Sequence, residues 1–65
     1  MIKVEFDYDF RLIAKQCEHY IGPRRFYLHN RIGGDDWEVS PYYGNRTKAK
    51  IKDPKMATFL KLKLR

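Results

Sequence analysis

Thr47-Lys48-Ala49-Lys50-Ile51-Lys52-Asp53-Pro54-Lys55-Met56-Ala57-Thr58-Phe59-Leu60-Lys61-Leu62-Lys63-Leu64-Arg65 decides the fold. On its left arm Thr47, Ala49 and Ile51 alternate with lysines. On its right arm Leu60, Leu62 and Leu64 alternate with Lys61, Lys63 and Arg65. Between them Asp53-Pro54-Lys55-Met56 carries Asp at the first and Pro at the second position of a type I turn. Period-two alternation on both sides of a turn predicts a β-hairpin. A helix starting at Pro54, with Met56, Leu60 and Leu64 on one stripe, is the rival reading. It would bury neither Phe59 nor Leu62, so the alternation favours the strand.

Pairing across that turn sets Ala49 opposite Leu60 and Ile51 opposite Thr58 on the apolar side. On the polar side it sets Lys48 opposite Lys61, Lys50 opposite Phe59, and Arg46 opposite Lys63. Like charges directly opposite one another destabilise a sheet by up to about 1 kcal/mol per pair. An unbroken ladder of Lys48, Lys50, Lys52, Lys61, Lys63 and Arg65 therefore calls for a polyanion that would neutralise it and release counterions. Phe59 in the same field offers a platform on which a base would stack.

Upstream of this stretch the charge changes sign. Residues 39–65 hold eight basic side chains and a single acid, Asp53, whereas residues 1–38 hold six basic and seven acidic ones. Ile2, Val4, Phe6 and Tyr8 alternate with Lys3, Glu5, Asp7 and Asp9, which predicts a strand with one buried face. The period then becomes helical: Phe10, Ile13, Ala14, Cys17, Tyr20 and Ile21 form one stripe over residues 10–21. Asp9 is the N-cap, Gly22 the left-handed residue that ends the helix, and Pro23 the stop. Leu12 lies off the stripe, where a subunit contact would cover it.

Arg25–Ile32 and Trp37–Ser40 alternate around Gly33-Gly34-Asp35-Asp36, predicting a first hairpin. Phe26, Leu28, Ile32, Trp37 and Val39 are assigned to the core. Tyr27, His29, Arg31, Glu38, Ser40 and Tyr42 are assigned to the outer face. Pro41 ends that strand or places it at an edge, and Tyr42-Tyr43-Gly44-Asn45 forms a loop. The expected architecture is α+β, in the order βαββββ: one helix packed on a small antiparallel sheet made largely of two hairpins.

Length and composition bound the rest. The chain has 65 residues, with 14 Lys plus Arg against 8 Asp plus Glu and a net charge of +6. That is one small basic globular domain (1–65), too short for a Rossmann binder or a two-domain enzyme. At 43% apolar and 15% aromatic residues it is too hydrophobic to be a disordered tail. No run approaches the ~18 apolar residues of a membrane span. The single cysteine, Cys17, excludes an internal disulfide and lies on the helix stripe as a core residue. No Cys/His set provides a metal site, and no cofactor is expected. The first residues lack a signal peptide's apolar segment, so the expected compartment is the cytoplasm.

The basic stripe makes a non-enzymatic nucleic-acid-binding module of low specificity the leading functional expectation. Its contact residues would be Arg46, Lys48, Lys50, Lys52, Phe59, Lys61, Lys63 and Arg65, holding DNA or RNA. The same surface fits a small inhibitor or adaptor docking on an acidic partner protein. A third reading is a metal-independent ribonuclease using His29, Arg31 and Glu38, against which stands an ordinary Arg31–Glu38 cross-strand pair. A homodimer would add buried area to so short a chain. In size the chain resembles accessory proteins of phages and mobile elements, a likeness of size alone.

Overall fold

The computed structural model of the chain describes residues 1–64. Its elements run β1 (Ile2–Phe6), α1 (Phe10–Tyr20), β2 (Phe26–Leu28), β3 (Arg31–Gly33), β4 (Trp37–Pro41), β5 (Thr47–Ile51) and α2 (Pro54–Lys63). The class is α+β, and the order βαββββ is present with a second helix after it. All strand pairs are antiparallel, in the order β1-β5-β4-β3-β2. Both helices cover one face, and their buried residues join those of the sheet in a single core. Trp37, Phe6, Ile13, Ile32, Ile51, Leu60 and Val39 are its largest wholly buried apolar side chains. The other face of the sheet carries no helix.

α1 forms where the 3.6-residue period placed it. The Asp9 side chain accepts from the Arg11 N–H at 2.8 Å, and Phe10, Ile13, Ala14 and Cys17 turn inward. Its end differs from expectation. Ile21 is the C-cap, and both Ile21 and Gly22 N–H groups close onto the Cys17 carbonyl. Gly44, in the β4–β5 loop, is the described glycine with positive φ, so Gly22 is not in the left-handed region. The Gly22 carbonyl instead accepts from Trp37 Nε1 at 2.9 Å, tying the helix end to the core. Gly34 permits this packing: a Cβ there would stand 2.5 Å from the Pro23 carbonyl oxygen and 2.8 Å from Trp37 Nε1.

The first hairpin is present, with Ile32 opposite Val39 and Gly33 opposite Glu38. The stretch before it is not one strand but two. A tight turn at His29-Asn30 folds β2 back on β3, pairing Leu28 with Arg31 and Phe26 with Gly33. A two-residue turn inverts the face on which preceding residues lie. Phe26 and Leu28 are therefore outside the core to which they were assigned, on the open face with Arg31. Tyr27 shares the opposite side with Ile32. Pro41 closes β4, and Tyr42–Asn45 form the loop to β5.

The C-terminal hairpin does not form. Asp53 caps a helix, accepting from the Lys55 N–H at 2.9 Å, with Pro54 in the first turn. Asp-Pro suits this role as well as a type I turn, because proline's fixed φ serves either and the first helical turn needs no proline N–H. α2 buries Ala57 and Leu60, with Met56 and Leu64 packed beside them. It leaves Phe59 at 43% and Leu62 at 56% exposure. The reason lies in the sheet: β5 is already flanked by β4 and β1. β1 and a C-terminal strand compete for the same edge of β5, and β1 offers Glu5 opposite Lys48 where the rival would offer Lys61.

Candidate nucleic-acid interface

Alternation along β1, β5 and β4 sends every second side chain to the open face. There β1 contributes Lys3 and Glu5, β5 contributes Lys48 and Lys50, and β4 contributes Glu38 and Ser40. Lys3 stands directly opposite Lys50, which on its other side faces Glu38. Glu5 stands opposite Lys48, which faces Ser40. With Arg31, Val4 and Ala49 these residues line a shallow trough of about 450 Å³. Tyr42 stands beside Lys48, whose Nζ lies 4.4 Å from the ring centre. At the far side the Phe26 ring covers Gly33, where a Cβ would come within 2.5 Å of it.

The continuous ladder of lysines is therefore dispersed. Arg46, Lys48 and Lys50 are together on or beside the open face, whereas Lys52 follows the end of β5 and lines a hollow with Tyr20, Ile21 and Met56 on the helix side. Phe59, Lys61 and Lys63 belong to α2. Arg65 lies outside the described residues. Lys61 donates to the Glu5 carbonyl and sits 5.3 Å from the Phe6 ring centre; Lys63 sits 5.5 Å from that of Tyr20. Phe59 packs edge-on against Tyr20 at 5.1 Å, on α2 with Lys63 and apart from Lys48 and Lys50 of the sheet.

Carboxylates also enter the basic field. Arg46 contacts Glu5 Oε1 at 3.1 Å and Asp7 Oδ1 at 3.0 Å, and Lys52 reaches Asp36 at 3.9 Å. Desolvation lowers the affinity of the Arg46 guanidinium for its proton. Asp7, and after it Tyr43 and Glu5, outweigh that effect and hold its pKa above the ordinary arginine value. Arg24 pairs with Glu18, Arg25 with Asp35, and Arg31 with Glu38 at 3.6 Å. Among the described residues, the open-face cations outside any such ion pair are Lys3, Lys48 and Lys50.

The three residues of the ribonuclease reading are not assembled as a group. Arg31 and Glu38 form the cross-strand ion pair, while His29 lies in the β2–β3 turn. Cys17 is wholly buried, and burial pushes its thiol up to about 12, so it is no nucleophile near neutral pH. Among the described residues no three His, Cys, Asp or Glu side chains are grouped to hold a metal ion. No helix among them is long and apolar enough to cross a membrane.

Sequence reasoning missed Lys3 as a member of the site, whereas its outer-face assignment includes Tyr42. Lys3 was visible as an outward residue of β1, but only the β1–β5 pairing brings it to Lys50. The signal was charge complementarity: Glu5 in β1 is the acidic neighbour that Lys48 lacks in its own hairpin arm. Comparison with models of protein families, with curated proteins and with solved structures gave no match to the chain.

Proposed function

We propose that the protein binds single-stranded nucleic acid along the open face of its sheet, with little sequence specificity. The observation that carries this reading is the Lys3–Lys50 pair. Two like charges stand directly opposite each other at the floor of a trough, with Lys48 on the next rung and, among the described residues, no ion-pair partner for any of them. Such an arrangement opposes folding in the free protein and is relieved by phosphate. Tyr42 beside Lys48, and Tyr43 next to it at 63% exposure, supply ring faces for stacked bases. A shallow trough edged by rings suits a flexible strand whose bases are splayed, because stacking is sequence-tolerant.

The test is a fluorescence titration with short single- and double-stranded oligonucleotides from low to physiological salt. Three lysines on phosphates give a slope of log K on log salt near −2 for a single strand, at about −0.7 per contact. A slope near −4.5, expected for five contacts on a duplex at about −0.9 per contact, belongs to the intact ladder and not to this face. Lys48→Gln and Lys50→Gln should each weaken binding and reduce the slope by about 0.7 without unfolding the domain. Binding lost well below ~150 mM salt, or indifferent to both substitutions, overturns the reading. An acidic protein partner would then be the one to seek.

A further inference from the structure

The free edge of β1 is built to pair with itself. The Lys52 N–H bonds the Asp36 carbonyl, and the Tyr42 N–H bonds the Arg46 carbonyl. Hydrogen-bonded pairs alternate along an antiparallel ladder, so the even-numbered residues of β5 address β4 and Thr47, Ala49 and Ile51 address β1. Their β1 partners are Phe6, Val4 and Ile2. The backbone N–H and C=O groups of Lys3 and Glu5 therefore point away from the sheet. Lys61 of α2 donates to one of these four groups, the Glu5 carbonyl. No side chain among the described residues bonds the other three.

We infer that this edge is a homodimer interface, in which β1 pairs antiparallel with β1 of a second copy about a two-fold axis at Val4. Ile2-Lys3-Val4-Glu5-Phe6 is self-complementary in that register. Lys3 stands opposite the partner copy's Glu5, and Glu5 opposite its Lys3. Val4 meets Val4, and Ile2 meets Phe6 on the core side. Lys3 and Glu5 are the residues whose backbone groups point outward, so each such pair exchanges both hydrogen bonds. Lys61 marks the side of α2 next to this edge. Ile2, at 44% exposure, is apolar surface that the second copy would cover. The Lys61 contact to the Glu5 carbonyl is the protection of a free edge, released when the edge is paired.

The test is the oligomeric state of the purified protein by analytical ultracentrifugation, without nucleic acid, so it stands apart from the binding function. A concentration-dependent dimer is expected. Lys3→Glu or Glu5→Lys places like charges opposite at both symmetric positions and should weaken dimerisation by about tenfold or more. The double variant Lys3→Glu/Glu5→Lys restores opposite charges and should restore the dimer. Lys61→Met, which keeps the aliphatic stem over Phe6 and removes the contact to the Glu5 carbonyl, should strengthen it. A monomer at every concentration overturns the inference. So does a dimer that the single reversals leave unchanged, or that the double reversal fails to rescue.

Discussion

Local chemistry was the most legible part of the molecule at the scale of single residues. Asp9 caps α1 and Asp53 caps α2 through their own carboxylates two residues on, an interaction needing no distant partner. Cys17 was readable as core from its place on the helix stripe. Its raised pKa has a consequence for stability. The folded thiol titrates near 12 and the ordinary value is 9.0, so its contribution is complete below about pH 9 and is lost as pH rises toward 12. Denaturant unfolding of the protein and of Cys17→Ala, compared from pH 8 to 11, should show the native protein losing its advantage above pH 9. In the folded state at pH 8 the thiol should also resist alkylation until denaturant is added. Gly22 and Phe26 were misread because their conformation is set from afar, by Trp37 in one case and by the His29-Asn30 turn in the other.

Periodicity decided correctly where a single period ran through an element, and failed where two fitted or where a turn, at His29-Asn30, broke the run. α1 and β1 have one consistent reading each. In residues 54–64 the leucines at 60, 62 and 64 obey a period of two, while Met56, Leu60 and Leu64 also obey a helical one. The choice depended on whether β5 had a free edge, which no local pattern records. The two readings differ in what a truncation costs. A strand would bury Leu60 and Leu62 alike on its apolar side. The helix buries Leu60 completely and leaves Leu62 exposed. Leu60→Ala should therefore destabilise the protein by about 2–5 kcal/mol, and Leu62→Ala by no more than about 0.5 kcal/mol. Chemical denaturation of the two variants measures this, and equal losses would contradict the helix.

Charge is a property of the whole molecule here, and this is where sequence order misleads most. The basic residues 39–65 and the near-neutral residues 1–38 are not separate surfaces. β1 inserts beside β5 and carries Glu5 and Asp7 to Arg46, while α2 removes Lys61 and Lys63 from the sheet. Three of the expected contact residues, Arg46, Lys48 and Lys50, do fall on or beside one face, while Lys52 turns to the helix side. Only two of them, Lys48 and Lys50, keep charges outside ion pairs, and Lys3 joins them through a pairing that spans most of the chain. The central claim is that this open face, and not the lysines of α2, receives the polyanion. Chemical-shift mapping of the isotope-labelled protein with a short single-stranded oligonucleotide tests it most directly. The account predicts perturbations concentrated at Lys3, Lys48, Lys50, Tyr42 and Tyr43, with Lys55, Lys61 and Lys63 unmoved. Perturbations concentrated on α2, or none on the open face, would contradict it.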